Sequence, residues 1–104
     1  MREKKRYLLA KFECDGGSFD EKAAKHLVYN AVFELLGEAG AARAGVQLKE
    51  FDAKKQLGAI KCQTIMLEKT IAALALKRFD AGKNVAIRLE KISGNIGKIW
   101  EKEK

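Results

Sequence analysis

Two apolar stretches with helical spacing dominate this chain, and each is bracketed by short runs rich in aliphatic and aromatic residues, with no proline to interrupt either. In the first, Ala24, Leu27, Val28, Ala31 and Leu35 recur every three or four positions and form one stripe. In the second, Ile65 to Phe79, Leu, Ile, Met and Ala predominate. Such faces must be buried against another layer. A chain of 104 residues suffices for one two-layer core and not for two, which predicts a single domain over residues 1–104.

The flanking runs supply the other layer. Residues 6–14, RYLLAKFEC, read as a buried strand that ends at Asp15-Gly16-Gly17. Ser18 stands three residues before Glu21, the spacing of a capping box, and Gly37 is a natural left-handed stop for the helix between them. Tyr29, Phe33 and Leu36 make a second stripe on that helix; either the helix is wedged between a sheet and another helix, or this face meets a partner chain. Gly37 to Gly45 reads as a flexible connector, and residues 46–51 and 57–62 as a hairpin. Thr64 can cap the second helix, which ends at Asp80-Ala81-Gly82. The last strand, 84–92, sets Val85, Ile87 and Leu89 against Arg88 and Glu90. Ile96, Ile99 and Trp100 share one face of a short tail helix reaching Lys102. The order is that of an α+β, ferredoxin-like βαββαβ fold: a four-stranded antiparallel sheet with two helices on one face, the other face free, and a short C-terminal helix.

Charge narrows the function. There are 21 Lys and Arg against 14 Asp and Glu, a net +7, which suits a polyanionic partner or an acidic membrane surface, or else only keeps the protein soluble. The basic start Arg2-Glu3-Lys4-Lys5-Arg6 precedes just four apolar residues before Lys11, too short for a signal-peptide core or a membrane span. Two cysteines, Cys14 and Cys62, lie in apolar runs without ligand spacing, so reduced thiols and a cytoplasmic location are expected. Residues 1–14 carry five basic and two acidic side chains, 46–62 four and two, 83–104 six and three, whereas 15–45 hold three and five. The strands and both termini are therefore basic. If they share one sheet, Lys11, Lys49, Lys61 and Arg88 gather on its open side, the footprint of a surface that tracks phosphates; a merely solvated face is the competing account. The third strand, Gln56 to Cys62, lacks the aromatic rings on which many RNA-binding sheets stack bases, which favours contacts to phosphate and sugar.

Near the C-terminus, Lys91-Ile-Ser-Gly-Asn-Ile-Gly-Lys-Ile-Trp100 resembles a phosphate loop. The nucleotide-binding pattern fails, because Ile92 stands where its first glycine belongs and Ile99 where Ser or Thr would hold magnesium. A looser reading survives, in which N–H groups at a helix start meet another phosphate; a plain helix cap is the alternative. No catalytic or metal centre is legible. His26 is the single histidine and sits among Lys22, Lys25 and Asn30. The segment Arg43 to Gln47 faintly resembles the acylphosphatase phosphate loop but follows a helix instead of the first strand.

Four stretches carry a more specific likeness: Lys5-Arg6-Tyr7, Leu35-Leu36-Gly37-Glu38-Ala39-Gly40, Gly58-Ala59-Ile60-Lys61-Cys62 and Ser93-Gly94-Asn95-Ile96. In order and spacing they resemble the protein component 2 family of archaeal ribonuclease P, related to the small Pop-type subunit of eukaryotic ribonuclease P and ribonuclease MRP. The family usually has Thr at the place of Asn95 and commonly Arg at that of Lys61. The resemblance implies a non-catalytic subunit of a ribonucleoprotein in which RNA, with its own magnesium, removes 5′ leaders from precursor tRNA. It also implies a TIM-barrel protein partner, a homodimer within that complex, and no cofactor on the protein itself. The expected RNA contacts are Lys4, Lys5, Arg6, Lys11, Lys61, Arg88, Lys91, Ser93, Gly94, Asn95 and Lys98, and the expected protein interface is Tyr29, Phe33 and Leu36. The rival reading is a protein–protein assembly or regulatory module of the same fold that binds no RNA.

Overall fold

The computed structural model describes residues 4–100. They form β1 (Lys5–Cys14), α1 (Glu21–Ala44), β2 (Gln47–Asp52), β3 (Leu57–Gln63), a 3-10 turn (Thr64–Met66), α2 (Leu67–Leu76), β4 (Phe79–Asp80) and β5 (Lys83–Ser93). The sheet is antiparallel with order β2-β3-β1-β5-β4, five strands instead of the four expected. The extra one is the two-residue β4, which pairs Phe79 with Asn84 and Asp80 with Lys83. Ala81 and Gly82 both have positive φ, 51° and 80°, as a tight hairpin requires. The second helix therefore stops at Leu76 and does not reach Phe79.

β1 lies at the centre of the sheet, and its middle residues, Leu8 to Ala10, are buried on both faces. Leu8, Ala10 and Phe12 point to the helices and join Leu27, Val28, Val32, Ile60, Cys62 and Leu74 in the main core. Phe12 meets Phe51 and Phe19 edge-on, with ring centroids 5.5 and 6.0 Å apart. The alternate residue Leu9 faces the other way and is fully buried with Leu57, Ala59 and Ile99 in a second, smaller core. Tyr7, Ile96 and Trp100 pack around it, and the Trp100 indole N–H donates to the Glu50 carboxylate. The sheet face expected to be free is thus covered at its centre by the tail, because three apolar side chains there need shielding from water. Residues 96–100 form a turn and not the expected helix. The part of the expected helix at Glu101 and Lys102 lies outside the described residues, as do Arg2 and Glu3.

The first helix also departs from expectation at both ends. Its N-cap is Asp20, whose Oδ1 accepts the Ala23 N–H at 2.7 Å, and not Ser18. Gln56 explains the shift: its side-chain amide bonds both the N–H and the C=O of Phe19, pinning that residue before the helix begins. Gly37, with φ 75° and ψ −178°, breaks the helix without ending it, and residues 38–44 form a further helical arm, not a loose connector. The stop is Gly45, in the left-handed region, whose N–H bonds the Ala41 carbonyl. At this break the two leucines exchange their expected places. Leu36 packs on the core beneath the arm, close against Gly40, while Leu35 is left exposed at the cleft between α1 and α2. Thr64 makes no side-chain cap; its N–H bonds the Lys4 carbonyl and its hydroxyl is buried without a partner.

Candidate nucleic-acid interface

Strand registers decide which basic residues share the tail-covered face. Along β1 this face carries Lys5, Tyr7, Leu9, Lys11 and Glu13. Beside them stand Lys61 opposite Tyr7, Gln63 opposite Lys5, Arg88 opposite Lys11, Lys91 opposite Leu9, and Ser93 opposite Tyr7. Lys91 reaches this side only because the β1–β5 register shifts at Glu90, so that Leu89 pairs with Ala10 on the helix side and Lys91 with Leu9 on the other. A similar shift in β2 falls at Lys49, between Leu48 and Glu50.

The tail divides this face into two unlike ends. At one end Lys11 and Arg88 are partly neutralised: Arg88 lies 3.3 Å from the Glu13 carboxylate, and Asp52 borders Leu57 next to Lys11. The Lys11 ammonium donates to the Lys55 carbonyl at 2.7 Å. At the other end are Lys5 and Lys61, with Lys49 near enough to act on Lys61 electrostatically, and no carboxylate pairs with any of the three among the described residues. Partial burial, then the neighbouring ammonium groups of Lys5 and Lys49, hold the Lys61 pKa below the usual lysine value. Like charges crowded together repel one another, and among the described residues no carboxylate offsets them.

Arg6, which pairs with the core residue Cys62 and so starts from the helix side of β1, and the Ser93–Asn95 segment border that end. The Arg6 guanidinium donates to the Lys5 carbonyl at 3.1 Å and lies against Gly94, where an added Cβ would sit 3.6 Å from it. The segment is a closed turn: the Asn95 N–H bonds the Ser93 hydroxyl, Asn95 Oδ1 accepts the Gly97 N–H at 2.7 Å, and the Asn95 carbonyl accepts the Lys98 N–H. Those three N–H groups are already satisfied, and the residues that follow form a turn, so they are not the free N–H groups of a helix start. What the turn supplies is position, for Arg6 on one side and for Lys91, whose ammonium donates to the Lys98 carbonyl, on the other. Lys4 and Lys98 are exposed.

The expected protein-contact residues do not stay together. Tyr29 and Phe33 are exposed and their rings lie 6.0 Å apart, but Leu36 belongs to the core rim. Exposed apolar surface also includes Leu35 and Leu76, which line the α1–α2 cleft, and Phe79 on β4. Lys77 is buried beside that cleft, bonded to Glu34 at 2.8 Å and near Asp80 at 3.5 Å. Sequence reading missed this buried ion pair, since nothing in Ala75-Leu76-Lys77-Arg78 distinguishes a buried lysine from an exposed one.

Chemistry of other kinds finds little footing. Arg43 lies in the last turn of α1, exposed, and not in a phosphate loop. Cys62 is buried, which pushes its thiol pKa up, and it pairs with Arg6 at one end of β1 while Cys14 lies at the other end of the same strand. Among the described residues no group of three or more metal-ligating side chains comes together, and no helix is long and apolar enough to cross a membrane.

Known proteins resemble this chain over nearly its whole length. A sequence model of the Rpp14/Pop5 family matches residues 6–103. Ribonuclease P protein component 2 of Pyrococcus furiosus is 31% identical over 102 residues, covering 98% of this chain and 84% of its own length. The Pyrococcus horikoshii protein of the same name gives the same identity and coverage, and that of Pyrococcus abyssi is 30% identical over 98% of this chain and 86% of its own. A chain in the cryo-EM structure of yeast ribonuclease MRP shares the fold, with a TM-score of 0.71 and 12% identity over 99% of this chain and 89% of that one. A match of the family's sequence model across nearly the whole chain, with relatives about 31% identical over the same span, places this chain in the Rpp14/Pop5 family.

Proposed function

We propose that this chain is a non-catalytic protein subunit of a ribonuclease P ribonucleoprotein, and that it supports the catalytic RNA by binding its phosphates. The protein alone is not the enzyme; in this reading RNA and its magnesium perform the cleavage of precursor tRNA, and the protein brings no cofactor. The observation that carries the mechanism is the crowding of Lys5, Lys49 and Lys61 with no carboxylate partner among the described residues, Arg6 following Lys5 in the strand. Phosphates of a folded RNA would neutralise that end, with Lys91 and Lys98 flanking and Lys4 leading into it. Lys11 and Arg88, already engaged with protein acceptors, contribute less. Lysine in place of an arginine at residue 61 gives point-charge contact without bidentate geometry. The central β2-β3-β1-β5 order with two helices on one face fits the ferredoxin-like arrangement, of which β4 is an appendix.

The exposed apolar rim of the α1–α2 cleft suits a protein partner, for which a TIM-barrel subunit is our proposal, with a homodimer inside the assembled complex and a cytoplasmic setting. Charge reversal tests the whole. Lys5→Glu with Lys61→Glu should abolish binding to ribonuclease P RNA, whereas Lys11→Glu with Arg88→Glu should weaken it only several-fold. With about five phosphates covered, the log–log salt slope should be about −4 for the unaltered protein. A flat salt dependence, with protein-partner binding intact, would instead favour the assembly module that binds no RNA.

A further inference from the structure

A groove of about 710 Å³ runs between the first half of α1 and β2, inside the roughly 300–1,000 Å³ range of ligand clefts. Its α1 wall presents Lys22, Lys25 and His26, and its β2 wall presents Gln47 and Lys49. Tyr29, 55% exposed, adds an aromatic ring, with the Phe33 ring behind it at 6.0 Å. Glu21 is the lone carboxylate on the lining, so three lysines face one glutamate. None of the three lysines has an ion-pair partner among the described residues. β2 is an edge strand, with β3 on one side only, which leaves one row of its backbone N–H and C=O groups unpaired.

Two occupants fit a basic groove along a sheet edge: an acidic extended peptide that adds a strand, or a single strand of nucleic acid. The register shift at Lys49 interrupts the edge, and a lysine at such an irregularity is a feature that disfavours strand addition. An exposed aromatic ring contributes nothing to a backbone ladder, but it is the platform on which an unpaired base stacks between phosphate-neutralising cations. We propose that this groove binds a single-stranded RNA segment, with Lys22, Lys25 and Lys49 on its phosphates and Tyr29 stacked on a base. Gln47, on the groove's lining, pairs with Lys61, and Lys49 lies near enough to act on that lysine's charge, so the groove neighbours the basic end of the sheet. A strand held here continues from RNA held there. The inference deepens the proposed RNA binding, sharing Lys49 with it and adding Lys22, Lys25 and Tyr29, and it makes Tyr29, read from sequence as a protein contact, a base contact.

The test uses the full chain and a fluorescein-labelled decauridylate, with a decamer RNA duplex and a decaglutamate peptide as competitors. Lys22→Ala, Lys25→Ala and Lys49→Ala together should flatten the log–log salt slope by about 2, since each single-strand phosphate contact contributes ~0.7. Tyr29→Leu should weaken binding at least about fivefold, the low end for loss of one base–aromatic stack, while Tyr29→Phe retains it. With 4-thiouridine in the probe, crosslinks should map to α1 and β2. Decauridylate binding that is unchanged in both variants, or lost only in Lys61→Glu, would overturn the groove while leaving the proposed function standing. Displacement by decaglutamate as effective as by RNA, with Tyr29→Leu inert, would overturn it in favour of an acidic protein partner. A duplex that binds more tightly and ignores Tyr29 would overturn it as well.

Discussion

The two faces of the sheet solve the same problem with unequal means. On one, two helices seal a core that runs from Leu48 across Ile60, Leu8 and Phe12 to Ile87. On the other, six or so tail residues cover only Leu9, Leu57 and Ala59, chiefly through Ile99. The lysines differ in parallel. On the helix side Lys77 is buried and held by Glu34 and Asp80; on the tail side Lys61 has other lysines for neighbours. One face matches its buried lysine with carboxylates, and the other leaves Lys61 beside like charge.

That contrast can be broken by measurement. Phe12→Ala removes a ring that touches two others in the main core and should cost about 3–5 kcal/mol in chemical denaturation. Ile99→Ala should cost about 2 kcal/mol, the low end for such truncations, because its cluster is small and can collapse onto the sheet. Equal losses for the two would show that the tail is as integral as the helices. Glu34→Gln should cost about 1 kcal/mol, since Asp80 still faces Lys77 and Glu34 is largely exposed.

The pH dependence of that last variant sharpens the point. The Lys77 pKa is raised: burial alone would lower it, but the Glu34 and Asp80 carboxylates outweigh burial. Its stabilisation is therefore fully present below the ordinary lysine pKa of 10.5 and is lost as pH rises through the higher folded value. A denaturation series into alkaline pH should show this loss in the unaltered protein and a flatter curve in Glu34→Gln. Lys61 has the opposite sign: its pKa is lowered, so its charged form costs stability below the folded value, and that cost disappears as pH rises through 10.5. Lys61→Met should accordingly leave stability unchanged or raise it by up to about 0.5 kcal/mol, the smallest of these effects.

Periodicity and turn chemistry made the order of the main elements legible, because the inner faces of β1, α1 and β5 repeat at the spacing their geometry demands. What escaped were features that depend on distant residues. The Glu90 register shift, which turns Lys91 to the basic side, has no local signature. Phe79 extends the apolar run of the second helix, so its exchange into a strand is visible only once Asn84 pairs with it. The tail's position could not be read from Ile96, Ile99 and Trp100 alone, since their spacing fits a helix as well as a plug. Of the candidate site, Lys5 and Lys61 were found from sequence. The neutralisation of Arg88 by Glu13 was not, because cross-strand neighbours 75 positions apart leave no trace in the chain.

The break at Gly37 reaches further than its size suggests. With φ at 75° and ψ near 180°, that backbone geometry is open to glycine and strained for any residue bearing a Cβ. The arm it redirects delivers the chain to β2, and β2 delivers Lys49 to its place between groove and sheet. One missing methyl group thus sets the aim of a charge twelve residues downstream, and a substitution there would misdirect the basic surface proposed to meet RNA without changing a single lysine.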